Sequence, residues 1–369
     1  MTQIGSVTQE QVANEQLKQA QLALTYAADQ QLHLDEVAAP LLRAAVPLCR
    51  DAVSTRIGVR VTNAPALKDY EFAARALGFT DTLQITGVGK GSPAERAGLT
   101  SGDRIVAING SRLPLGESGV QKALDQLTNA DTRVLLTTHG SAGERDVVVA
   151  KDSVCNYNVV FVRSQDLNAF SDGHNVYVTS GIMRFTANDD ELATVLGHEI
   201  AHNAMHHMDA TKQNAAVGAL FGAILDVVAL KAGVNTHAEF ANDFAKYGSM
   251  VFSQDFEREA DYVGLYLVAA AGRSTASSPN LWRRMAQEKP GSIMFGTTHP
   301  TTAERFVRLD QLQGEIARKL GAGTPLRLAL KNGTESRPLV LAHGPTDSPR
   351  TVVATTTPTK PTNPRAPTT

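Results

Sequence analysis

Apolar positions recur along this chain at two periods, and the period changes from region to region. Through residues 8–50, Val12, Leu17, Leu22, Leu24, Leu32, Val37, Leu41 and Leu42 form an imperfect helical stripe, which predicts a helical hairpin packed on the main body. The pattern then shortens. Leu83-Gln84-Ile85-Thr86-Gly87-Val88 alternates like a strand, and Ser92-Pro93-Ala94-Glu95-Arg96-Ala97-Gly98-Leu99 reads as a short helix ended by glycine. Gly102-Asp103 turns into Ile105-Val106-Ala107-Ile108, and Asn109-Gly110 is a strong hairpin signal. A helix over 119–127 and strands near 133–138 and 144–149 follow. Farther on, Asn175, Tyr177 and Thr179 alternate with Val176 and Val178, which predicts a half-buried strand over 175–182. Helical spacing returns with Glu191, Leu192, Val195, Leu196 and Ile200, and Asn188-Asp189 stands where an N-cap belongs. A second helix runs from about Glu257 through Val263, Leu265 and Leu267. From about Pro345 the chain is Thr/Pro-rich, too poor in apolar surface to order itself, and disorder is expected there.

The chemistry sits on the two late helices. In His198-Glu199-Ile200-Ala201-His202, two histidines four apart point the same way and can share a metal, and the glutamate can act on a water beside it. A metzincin would need Gly and His where Met205 and Met208 stand, so that class is excluded. His206 continues the ladder, but eight residues of helix rise about 12 Å, too far for one coordination shell. It reads as a polar histidine near the site. In Glu257-Arg258-Glu259-Ala260-Asp261, Glu257 and Asp261 share a helical face while Glu259 points elsewhere. One carboxylate can complete a ligand set, and the other can fix a ligating histidine by hydrogen bonding. The plainer alternative is a charged, solvated face.

Thr298-His299-Pro300, followed by Glu304 and Arg305, would alone be a turn. In this order after HExxH and ExxxD, and with Asn168-Ala169-Phe170 and Val176–Ile182 ahead of them, it resembles the HtpX/BepA/Oma-type family of zinc metallopeptidases. These are gluzincins, and the family includes the CAAX prenyl proteases. The resemblance covers roughly residues 155–315. It implies that His198, His202 and Glu257 bind one zinc ion per chain, that Glu199 is the general base, and that Asp261 supports a ligating histidine. It also places His299 and Arg305 near the metal. Either can stabilise an oxyanion, or His299 can block the open position and keep the enzyme latent. The strand Asn175, Val176, Tyr177, Val178 and Thr179 is read as a sheet edge that pairs with substrate, the alternative being an interior strand.

The run SPAERAGL…GDRIVAING resembles a PDZ domain of the bacterial protease type, over about residues 56–150. Such a domain implies an extended peptide ligand, often a C-terminus, held beside a strand and the helix over 119–127. Two segments fit its carboxylate loop, Arg56-Ile57-Gly58-Val59 and Ala76-Leu77-Gly78-Phe79. A structural spacer is the alternative.

With 369 residues the chain has material for two or three domains, and a formal charge of −2 argues against nucleic acid as partner. The expected fold class is α+β, a mainly helical zincin-type metallopeptidase domain with a small sheet and an inserted β-rich PDZ domain. The expected division is 1–55 helical and packed on the peptidase, 56–150 PDZ-like, 151–320 peptidase, and 321–369 a C-terminal extension. No apolar stretch is long enough to be a transmembrane segment; Ala215–Leu230 contains Asp226, Gly218 and Gly222 and reads as a packed amphipathic helix. That sets the chain apart from membrane-embedded members, toward the soluble BepA-like branch. Cys49 and Cys155 bracket the insert, whose ends should lie close together, so they are a disulfide candidate; two reduced thiols are the alternative. No signal peptide opens this sequence. The expected location is the bacterial periplasm or cell envelope, alternatively the cytoplasm. The expected function is zinc-dependent cleavage of unfolded or misassembled polypeptides in envelope quality control, with the PDZ domain recruiting or gating substrate. The other reading is a PDZ-containing chaperone or scaffold with silent proteolysis.

Overall fold

The computed structural model describes residues 6–129, 131–140, 143–208, 254–288, 303–329 and 334–341. The expected amphipathic helix over 215–230, the Thr298-His299-Pro300 motif and the Thr/Pro-rich tail lie outside them.

The N-terminal region is one continuous helix, α1 (Gln9–Ala44), and not a hairpin. Residues 9–39 have neither glycine nor proline to break the helix, and the one proline of α1, Pro40, falls in its last turns. Thr8 starts the helix in a reciprocal capping box with Gln11. Its buried residues, Leu34, Val37, Ala38, Leu41, Leu42 and Ala44, all lie toward the C-terminal end. Val12 and Leu22, read as part of the same stripe, are exposed.

Two hydrophobic cores divide the described structure. One belongs to the insert and gathers Ile57, Leu83, Ile85, Ile105, Ile108 and Leu136. Its antiparallel sheet runs in the order β2 (Val59–Thr62), β3 (Leu83–Val88), β4 (Arg104–Ile108), β6 (Arg133–Gly140), β7 (Gly143–Ala150), with β5 (Ser111–Arg112) paired to β4. The β4–β5 hairpin turns on Asn109 and Gly110, both at positive φ (51° and 75°), as a type I′ turn requires. Three short helices complete the module: α2 (Glu71–Ala76), α3 (Pro93–Arg96) and α4 (Glu117–Leu127). Of the two candidate carboxylate loops, Arg56–Val59 leads directly into the end strand β2. Gly58 there has φ 78°, and a Cβ on it would fall 2.4 Å from that of Ser92.

The insert enters and leaves through a two-stranded ribbon, β1 (Val53–Arg56) antiparallel to β8 (Asp152–Cys155). Cys49 lies just before the ribbon and is bonded to Cys155, with Cα atoms 5.8 Å apart and a sequence separation of 106. A loop of this size corresponds to about 4.7 kcal/mol in the chain-entropy model. Replacing both cysteines by alanine is therefore expected to lower stability by up to that amount, read as a fall in the denaturant midpoint. An unchanged midpoint would show that the bond constrains nothing.

The second core belongs to the other half. Its sheet has three strands in the order β10 (Ala169–Ser171), β11 (Asn175–Thr179), β9 (Asn158–Val162), with β11 antiparallel to β10 and parallel to β9. This corrects the reading of Asn175, Val176, Tyr177, Val178 and Thr179 as a substrate-pairing edge. That strand is the central one, with neighbours on both sides. Alternating polarity reports the two faces of a sheet, whereas an edge lies at right angles to both faces and leaves no trace in the period. The strand also ends at Thr179 and does not reach residue 182. Thr179 Oγ1 accepts the Ile182 N–H and starts the short helix α5 (Ser180–Phe185). On the outer side of β9, the Gln31 amide of α1 donates to Val159 O and accepts from Phe161 N, both at 2.9 Å. One side chain thus occupies the place of a further strand.

Four helices carry the rest: α6 (Asp189–Ala204), α7 (Gln254–Ala270), α8 (Ser278–Glu288) and α9 (Ala303–Gly321). Asn188 caps α6 by accepting from the N–H groups of Asp190 and Glu191. Glu191 accepts from Ala187 N and a bidentate pair from Arg284 of α8, at 2.8 Å each. The Arg284 bonds hold the Glu191 carboxyl below its usual range. Among the described residues, no helix is long and apolar enough to cross a membrane.

Candidate metal centre

Helices α6 and α7 meet backbone to backbone. A Cβ on Gly197 would lie 2.8 Å from Gly264 O, and one on Gly264 would lie 2.9 Å from Gly197 C. No other residue permits this approach, and it brings the face of α7 carrying Glu257 and Asp261 against that of α6 carrying His198 and His202. All four side chains are buried.

The ligand atoms converge. His198 Nε2 and His202 Nε2 stand 3.1 Å apart, and Glu257 lies 3.5 Å from the first and 3.3 Å from the second. Atoms bound about 2.0–2.1 Å from a tetrahedral ion are about 3.3 Å apart. The triangle fits such an ion, and among the described residues these three are the group that could hold one. Burial, with the His198 charge acting in the same direction, pushes His202 down to about 3. His198 is pulled the other way: burial would lower it, but its bonds to Asp261 and Glu257 outweigh that. A cation between the rings would draw on neutral imidazoles, the form that coordinates.

Asp261 Oδ1 lies 3.0 Å from His198 Nδ1, a contact that favours the proton on that nitrogen and leaves the Nε2 lone pair facing Glu257 and His202. Arg305 of α9 grips Asp261 with Nε at 2.8 Å and Nη2 at 2.7 Å, and its Nη1 lies 3.7 Å from Glu257. Burial would raise Asp261; the Arg305 charge and the His198 bond hold it below its usual range. Arg305 was expected near the metal, as one of two residues that could stabilise an oxyanion; it lies beside the triangle, with Nε and Nη2 on Asp261. Glu199 is buried on α6, close enough to lend its charge to the surroundings of His202 and Arg305. His299 lies outside the described residues.

Two neighbours of the triangle carried no signal in the sequence. Trp282, the chain's single tryptophan, sits on α8 between His198, ring centroids 5.3 Å apart, and the Arg305 guanidinium, 4.1 Å from its ring. His207 Nδ1 stands 3.0 Å from His202 Nδ1, and His207 Nε2 is 3.1 Å from Glu259. The sequence placed His206 on the helical ladder. In fact α6 ends at Ala204, and His206 takes the left-handed conformation (φ 56°), which turns the chain and returns His207 to the ligand face. A helix-ending signal of the glycine type would have revealed this, and a histidine stands in its place.

Residues 140–313 match the model of Peptidase family M48, and residues 84–138 that of a PDZ domain. The chain is 33% identical over 154 residues to mitochondrial metalloendopeptidase OMA1 of Saccharomyces cerevisiae, covering 39% of this chain and 43% of that protein. It is 30% identical over 178 residues to a putative beta-barrel assembly-enhancing protease of Vibrio cholerae, covering 44% and 36%. To the beta-barrel assembly-enhancing protease of Escherichia coli O157:H7 it is 26% identical over 212 residues, covering 53% and 42%. The chain thus spans less than half the length of each of these relatives.

Proposed function

We propose that this chain, a metallopeptidase of the Oma/BepA type with a PDZ domain set into it, is a zinc-dependent endopeptidase that cuts unfolded or misassembled polypeptides. The observation that supports it is the buried triangle of His198, His202 and Glu257, with edges of 3.1 to 3.5 Å. Two neutral imidazoles and one carboxylate, with a fourth position left over, suit catalytic zinc. When bound, zinc polarises a carbonyl and lowers the pKa of a water from about 15.7 to about 7.

The protein's own groups do the rest. Glu199 takes the proton of the attacking water and passes it to the leaving amine nitrogen. Asp261 keeps the His198 ring oriented, and Arg305 holds Asp261 ionised and in place. Burial of all these groups limits competing water, which strengthens each interaction. In the insert, β2 ends its sheet and follows the Arg56–Val59 loop, so an extended peptide adds there with its carboxylate at the loop. That recruits substrate by backbone pairing and a chain end more than by internal sequence. The relatives named for beta-barrel assembly, and a bond between Cys49 and Cys155, favour the bacterial periplasm and envelope protein quality control.

Metal analysis coupled to casein digestion tests this. One zinc per chain is expected, and chelation or His198→Ala should remove both zinc and proteolysis. Proteolysis that survives complete removal of the metal would refute the reading. Zinc-loaded protein that binds unfolded polypeptide without cutting it would mean a scaffold.

A further inference from the structure

We propose that His207 and Glu259 are positioning residues for the metal centre, setting the proton arrangement and ring orientation of His202. The argument is one of donors and acceptors. If His202 uses Nε2 toward the ion, its proton must sit on Nδ1. The group facing that nitrogen is His207 Nδ1, 3.0 Å away, which must then present a lone pair. A neutral imidazole with a lone pair on Nδ1 carries its proton on Nε2. His207 Nε2 faces Glu259 Oε2 at 3.1 Å, an acceptor of the right kind. One assignment of protons satisfies both links, and it is the assignment that leaves His202 Nε2 free to bind.

The two ligating histidines are thus supported unequally. His198 Nδ1 stands 3.0 Å from the carboxylate of Asp261, itself gripped by Arg305. His202 donates to a second imidazole, and the carboxylate stands one ring farther away. His207 is held for this purpose from both sides. It is buried, its ring lies stacked on Phe256 of α7 with centroids 4.5 Å apart, and the left-handed turn at His206 fixes its approach. Glu259 is the residue of the Glu257–Asp261 segment that faces away from the ligand triangle, so α7 supplies a ligand, a partner for His198 and the end of the His202 relay within five residues. The carboxylate lies at the rim, with its side chain 25% exposed.

The inference rests on the zinc reading above, and the experiment separates the two. Zinc affinity of the full chain is measured by competition with a chromogenic chelator, alongside the thermal midpoint of the metal-free protein. His207→Leu is expected to weaken zinc binding by about 10- to 100-fold, as loss of a partner to a ligating histidine does. His207→Asn, whose amide oxygen can stand in for Nδ1 as acceptor, should recover most of the loss. Glu259→Leu, a change at a partly exposed position, should weaken binding by less. If His207→Leu fails to fold, Glu259→Leu and His207→Asn decide the matter. Wild-type zinc affinity in His207→Leu or in Glu259→Leu overturns the relay, as does a His207→Asn variant no better than His207→Leu. Wild-type protein that binds no zinc would overturn the metallopeptidase reading itself, and the relay with it.

Discussion

Glu199→Gln is expected to keep its metal and lose peptide hydrolysis, with kcat reduced by about 10²- to 10⁴-fold, the usual contribution of a positioned acid or base. Glutamine matches glutamate in volume, and Glu199 is buried among packed groups on α6, so the substitution preserves the fold. It removes proton acceptance alone. His198, His202 and Glu257 are untouched, so zinc content should stay at the wild-type level. The measurement is single-turnover cleavage of a fluorogenic peptide, with metal content determined on the same sample. An unchanged kcat would remove Glu199 from the chemistry. Loss of metal in this variant would instead make it part of the binding site.

Arg305→Ala is expected to destabilise the protein by about 3–5 kcal/mol, the cost of leaving one half of a buried ion pair behind. The guanidinium is buried, gives two hydrogen bonds to Asp261, stands 3.7 Å from Glu257 and covers the ring of Trp282. Without it, two buried carboxylates face each other. Arg305 helps hold Asp261 below its ordinary range, so this contribution is present at neutral pH and is lost as the pH falls through the folded-state value. In the variant Asp261 should rise, and the stability gap to wild type should narrow on acidification. Arg305→Lys keeps the charge but not the fork, and should fall between the two. Urea midpoints at several pH values make the comparison, and a loss that is small and independent of pH would mean that the pair contributes only packing.

The candidate metal centre was legible because a helix repeats every 3.6 residues: His198 and His202 on one element, Glu257 and Asp261 on another, each pair four apart. The same rule failed one turn later. It carried His206 onto the ladder, when the helix had ended and His207 was the residue that returned. The crossing at Gly197 and Gly264 was invisible for another reason. A glycine inside a helix lowers propensity wherever it stands, and only the facing element shows what it makes room for. Trp282 brings no ligand chemistry and no period, so nothing in the sequence marked it as the ring between His198 and Arg305. The imperfect stripe of residues 8–50 predicts a hairpin where α1 is continuous, because a stripe marks the buried face and not where the chain turns. The insert fared better. Its Asn109-Gly110 turn, the Ser92 cap and the alternating strands are local instructions, each contained within a few residues.

The bond between Cys49 and Cys155 has a consequence for biosynthesis. These are the only cysteines in the chain, so oxidation within one molecule has a single product and no disulfide isomerisation is needed to sort it. The first thiol is translated 106 residues ahead of the second, and the whole PDZ module lies between them. The module is therefore synthesised before Cys49 can meet Cys155, and in the fold the β1–β8 ribbon holds the two at 5.8 Å Cα separation, within bonding range. In an oxidising compartment the yield of that one bond would follow how many chains brought the two ends of the insert together.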